Sequence, residues 1–152
     1  MFQADIDRLA LEIHTHVPMY NGTVRSFFFA SHFSGVAVVH VPIVPEGMPP
    51  FNVQSLNVSH WMPKWQSFNF RLPGQHAYTV FVLDSATAAD DYNAALFWCS
   101  RGTFFYRGDV LVIKHNLDPP AELVDVEDGD IGPVCQALFA MHGTGVMPRQ
   151  SV

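Results

Sequence analysis

Charge is what this chain lacks most. Asp, Glu, Lys and Arg make up 14% of its 152 residues, against about 25% in an ordinary soluble domain. A lone protomer needs ionised groups to hydrate its exterior, so the shortage implies that part of the surface is covered by another molecule. Lys and Arg together number eight, nowhere in a run, and the net charge is −6. Nucleic-acid binders draw most of their affinity from neutralising phosphates, so this balance argues against a nucleic-acid partner. The same reasoning argues against attachment to an anionic membrane surface.

Cysteine is equally sparse. Cys99 and Cys135 are too few for a disulfide framework; both fall on apolar stripes at helical spacing and read as buried structural residues. The start, Met1-Phe2-Gln3-Ala4-Asp5-Ile6-Asp7, has neither the basic end nor the apolar centre of a secretory leader, so a cytoplasmic protein is expected. The triplets Asn21-Gly22-Thr23 and Asn57-Val58-Ser59 then read as chance matches to a glycosylation signal. No formal charge lies between Arg25 and Glu46, a length that would span a bilayer as a helix. Ser31, His32, Ser34, Gly35, His40 and Pro42 interrupt it, however, and its apolar residues are largely β-branched or aromatic, which favours paired strands and no membrane span.

Motifs for bound groups are also missing. Gly143-Thr144-Gly145 is too short for a phosphate loop and follows a helical stripe instead of opening one. The acidic cluster Asp125, Glu127, Asp128 and Asp130 fails the calcium-loop pattern, because the positions that need glycine and glutamate hold Asp130 and Gln136. His14 and His16 are two apart and diverge on a helix, and the other histidines, at 32, 40, 60, 76, 115 and 142, are isolated. No metal and no cofactor is expected. No Gly-x-Ser-x-Gly elbow exists, and Cys99 as a nucleophile would sit at a helix C-terminus, where the dipole opposes a thiolate. Catalytic residues therefore stay unassigned, and whether the chain is an enzyme stays open.

What is present is a legible series of elements. Ile6, Leu9, Ala10, Ile13 and Val17 form a helical stripe ended by Pro18. Strands are expected at 23–30 and 36–44, the second with both faces covered, since Ala37, Val39, Val41 and Ile43 oppose Val36, Val38 and His40. Pro42, without a ladder donor, should lie at an edge or end the pairing. A short strand within 52–60, then strands at 67–72 and 77–83, follow across the Pro73-Gly74 turn. A second helix opens near Ser85 or Thr87, buries Tyr92, Ala95, Leu96 and Cys99, and stops at Gly102. Residues 103–106 and 110–115 read as a hairpin around Gly108-Asp109, and 123–126 as a short strand. A last helix starts near Asp130, buries Ile131, Val134, Cys135, Leu138 and Met141, and stops at Gly143. The expected fold is α+β: a single domain over 1–145, with an antiparallel or mixed sheet of about six to eight strands and three helices, and a flexible tail over 146–152.

The most distinctive segment is Trp61-Met62-Pro63-Lys64-Trp65, inside a region from Ser26 to Phe70 whose only formal charges are Glu46 and Lys64. Proline disfavours helix or central strand there, and tryptophans on loops are enriched at binding hot spots. The leading expectation is a non-catalytic interaction module that self-associates, or binds another protein, through Trp61, Met62 and Trp65, with Phe51 beside them. The second is a small enzyme or carrier for an apolar small molecule, with an aromatic pocket and His40 or His60 at its mouth for acid–base chemistry.

Overall fold

Runs of β-branched and aromatic residues build the sheet. Thr23–Phe29 (β1) and Ala37–Pro42 (β2) pair antiparallel, from Thr23 opposite Pro42 to Phe28 opposite Ala37. Trp65–Arg71 (β3) and His76–Leu83 (β4) form a second antiparallel pair, from Trp65 opposite Leu83 to Arg71 opposite Ala77. Val110–Asn116 (β5) lies between the two pairs: one edge runs along β4 and the other along Phe27, Phe28 and Phe29 of β1. Leu123–Val124 (β6) takes the remainder of that second edge, opposite Lys114 and His115. The sheet thus has six strands, all antiparallel, in the order β2-β1-β5-β4-β3 with β6 beside β5. Among the described residues two α-helices, Ala94–Cys99 (α1) and Ile131–Thr144 (α2), accompany it. The computed structural model describes residues 23–31, 34–43, 52–56, 58, 65–72, 76–83, 92–103, 105–117 and 122–144; the helix expected over 6–17 and the tail over 146–152 lie outside them.

Strand alternation divides the core in two. On one face Phe27, Phe29, Tyr78, Val80, Val82, Val110 and Val112 pack with Ala95 and Leu96 of α1 and with Val134 and Leu138 of α2. On the other, Val24, Phe28, Val39, Val41, Phe81, Leu111 and Ile113 pack with Leu56 and Val58. Each fully buried side chain of this size is worth about 1.5–3 kcal/mol of hydrophobic stabilisation, so the two clusters drive the fold.

An ion-paired cluster joins α2 to the sheet. Lys114 Nζ donates to Asp130 Oδ2 at 2.9 Å, the Tyr78 hydroxyl donates to Asp130 Oδ1 at 2.8 Å, and the Glu127 amide donates to Oδ2 at 2.7 Å. Asp130 closes the 3-10 turn Asp128–Asp130 from which α2 continues, as the expected start near Asp130 required.

Three expectations need correction. Only Ala37, Val39 and Val41 of β2 face a core; Val38 and His40 are exposed, so β2 is an edge strand covered on one face. The segment after Asn52 is a 3-10 turn, Val53–Ser55, followed by a single bridge between Leu56 and Ile43, instead of a strand. Thr103, Phe105 and Tyr106 do not pair with β5, because β4, β1 and β6 already occupy both edges of that strand. The strand expected from Ser67 begins two residues earlier, at Trp65, and β3 lies at an edge of the sheet, one of the two placements, loop or edge, expected for the tryptophan segment.

Candidate interaction surface

Helix α1 starts from Asn93, whose side chain is fully buried. Its Oδ1 accepts the Leu96 amide at 3.0 Å, while its Nδ2 donates to the carbonyls of Phe29 at 2.7 Å and Gly108 at 2.8 Å. One amide therefore caps the helix and ties it to β1 and to the turn before β5. The helix ends abruptly. Arg101 and Gly102 both take left-handed backbone, φ 57° and 79°, and the Gly102 amide returns to the Phe97 carbonyl at 2.7 Å, the long bond of a Schellman-type stop. The φ of 79° at Gly102 is what favours glycine there, since a Cβ would meet the Phe97 ring only at an ordinary contact distance of 3.4 Å.

With so short a helix, only Ala95 and Leu96 turn inward. The rings left outside form a connected chain. Tyr92 meets Phe105 edge to face at 5.7 Å, Phe105 meets Phe97 at 5.3 Å, and Phe97 meets Trp98 at 5.8 Å. The Arg107 guanidinium lies over the Tyr92 ring at 3.9 Å, held by the bridge between these two residues. Trp98 is 64% exposed, Phe105 54% and Tyr92 48%. Phe139, also 48% exposed, comes from α2 and lines a groove of about 180 Å³ with Cys99, Ser100, Arg101, Cys135 and Gln136. Aromatic rings in contact with one another and locked to a capped helix thus leave a cluster of apolar area at the surface, the composition that binding hot spots share.

Of the residues singled out from the sequence, those the structure describes, Trp65 and His40, fall elsewhere. Trp61, Met62, Phe51 and His60 lie outside the described residues. Trp65 is exposed and packs edge-on against Phe81 at 4.8 Å, on the sheet face opposite α1 and α2. His40 is exposed on β2, its Nδ1 3.3 Å from Thr23 Oγ1. The histidine that the fold buries is His115, whose Nε2 is 2.9 Å from the Thr79 hydroxyl; that hydroxyl also bonds Asn69 Oδ1 at 2.7 Å. Much of the charge-poor region proves to be core: Phe27, Phe28, Phe29, Val39, Val41, Ile43, Leu56 and Val58 are all buried within the chain.

Sequence reasoning placed Tyr92 and Cys99 on a buried stripe, whereas both are exposed. The helix begins two residues after Tyr92 and stops at Cys99, so neither end is held against the sheet. The half-buried Phe97 and the exposed Trp98 did leave a signal, since both lie off that stripe. Among the described residues no helix is long and apolar enough to cross a membrane, and no group of three or more His, Cys, Asp or Glu side chains converges as metal ligands would. No protein-family model, characterised relative or solved structure matches the chain.

Proposed function

We propose that the protein is a non-catalytic interaction module that self-associates through the aromatic surface of Tyr92, Phe97, Trp98 and Phe105. The observation that carries the reading is the exposure of Trp98, Phe105 and Tyr92 in one chain of ring contacts. Three large rings left in water, with Phe97 half-buried between them, cost the lone protomer hydrophobic free energy that a partner surface recovers. A second copy suits the chemistry. The rings are uncharged, the nearest guanidinium is engaged by Tyr92, and so two such surfaces meet on a two-fold axis without like-charge repulsion. The 14% content of charged residues fits a surface adapted to being covered.

The test is sedimentation velocity over a range of protein concentrations. The wild-type chain shifts from monomer toward dimer as concentration rises. Trp98→Ala and Phe105→Ala each weaken that association by about tenfold or more, as expected of central aromatic hot spots, while leaving the unfolding midpoint near the wild-type value. A wild-type chain that stays monomeric throughout refutes the proposal, as does a dimer indifferent to both substitutions.

A further inference from the structure

The two thiols, distant in sequence, meet in the groove beside α1. Cys99 is the last residue of α1 and exposed; Cys135 projects from the second turn of α2 and is half-buried. Both line the same open groove of about 180 Å³, together with Arg101, Gln136, Ser100 and Phe139. Both thiols are free, and Cys99 Sγ donates to the Leu96 carbonyl at 3.5 Å. The pair is asymmetric. The neighbouring Cys135 thiol holds Cys99 below its ordinary value against the opposing effect of burial. Cys99 in turn, and then burial, push Cys135 up. Although the C-terminal end of α1 disfavours a thiolate, Cys99 is the exposed sulfur with its thiol held below the ordinary value, and Cys135 is the more enclosed and more firmly protonated one, which is the division of labour of an attacking and a resolving thiol.

We propose that Cys99 and Cys135 form a redox-active dithiol that exchanges with low-molecular-weight disulfides bearing carboxylates, and closes to an intramolecular disulfide. Arg101 and Gln136 line the same groove, and they supply the recognition: a guanidinium and an amide are the groups that meet a carboxylate of the incoming disulfide. The Cys99 thiolate attacks one sulfur of that disulfide, forming a protein–small-molecule mixed disulfide and releasing one thiolate. Cys135 gives up its proton, which the departing thiolate takes. The Cys135 thiolate then attacks Cys99 Sγ, breaks the mixed bond and expels the second small thiolate, which takes the proton from the original ionisation of Cys99. In sum the protein dithiol is oxidised by two electrons and one small disulfide is reduced to two thiols. The product staples the end of α1 to α2, two helices whose inward residues belong to the same core cluster. This chemistry belongs to the thiol pair and is independent of whether two copies associate.

The experiment treats the reduced full-length chain with glutathione disulfide and follows intact mass and peptide maps over time. The wild-type chain loses two hydrogens, yields a peptide linking Cys99 to Cys135, and holds glutathione only transiently. Cys135→Ser accumulates one stable glutathione on Cys99, and Cys99→Ser reacts at Cys135 about tenfold more slowly or less. A wild-type chain that keeps stable glutathione on either cysteine, or takes up none and forms no link, overturns the proposal. Alkylation of the reduced wild-type chain by iodoacetamide provides a readout that needs no variant. Cys99 is labelled before Cys135, and its rate rises with pH through a midpoint below that of a free thiol; equal rates at the two positions overturn the assignment of roles.

Discussion

Replacing Asp130 by alanine should unfold this protein more readily than any other single change to a partly exposed residue, and the structure sets the scale. The Lys114 side chain is 7% exposed and that of Asp130 16%. Removing the carboxylate strands a buried ammonium and leaves the Tyr78 hydroxyl and the Glu127 amide without their acceptor. Breaking a buried pair from one side costs about 3–5 kcal/mol, so about 4 kcal/mol is expected here. Lys114→Met is milder, about 2 kcal/mol, because Asp130 keeps two donors and some contact with water. The double variant removes the stranded charge as well as its partner. It should fall short of the summed single losses by about 2–3 kcal/mol, the coupling expected of groups in one network. Equilibrium unfolding in urea measures all three: at a slope of about 2 kcal/mol/M, Asp130→Ala lowers the midpoint by about 2 M without changing the slope. Strict additivity in the cycle, or a loss below about 1 kcal/mol for Asp130→Ala, would refute the view that this pair anchors α2.

The same cluster dictates how stability responds to pH. Burial pushes the Asp130 carboxyl up, but the Glu127 amide, Lys114 and Tyr78 together outweigh it and hold it below the ordinary carboxylate range. Its contribution is therefore present above that range and lost as pH falls through the depressed folded-state value. Burial first, and Asp130 second, push the Tyr78 hydroxyl up, so stability also declines as pH rises past the ordinary tyrosine range. Melting temperature followed across pH should show a plateau between two falling limbs, and Asp130→Asn should flatten the acid limb; an unchanged acid limb in that variant would contradict the assignment. Asn93→Ala should cost about 3 kcal/mol, since it removes a helix cap and leaves two buried carbonyls without a donor. A shift in urea midpoint corresponding to less than about 1 kcal/mol would show that the cap does not organise α1.

Local pattern revealed the strands well and their neighbours poorly. The alternation of Phe68, Phe70 and Leu72 against Ser67, Asn69 and Arg71 located β3, and the short turn after it correctly implied an antiparallel partner. Asp130 and the apolar spacing of Val134 and Leu138 likewise located α2. The pairing of Phe27 with Val112 has no local signature, because it depends on which edges remain free once the hairpins have formed. That is also why 103–106, aromatic and strand-like in isolation, is not a strand in the fold. The outward face of α1 was hidden for a related reason. A periodic stripe says which residues share a side, but a six-residue helix anchored by Asn93 and cut off by Arg101 and Gly102 buries only the middle of that stripe. The meeting of Cys99 with Cys135 requires two helices to converge, which no spacing along the chain encodes.

The position of β5 has a consequence for biosynthesis. The hairpins β1–β2 and β3–β4 each comprise consecutive segments and emerge early, yet their contact in the sheet runs through a strand that begins only at Val110. A nascent chain shorter than this would expose the bare edges of β1 and β4, with Phe27, Phe29, Val80 and Val82 unsheltered, until β5 emerges. Insertion of that later strand closes both edges at once, so maturation of the sheet is a single gating event, and the interval before it is when a holdase would be needed most.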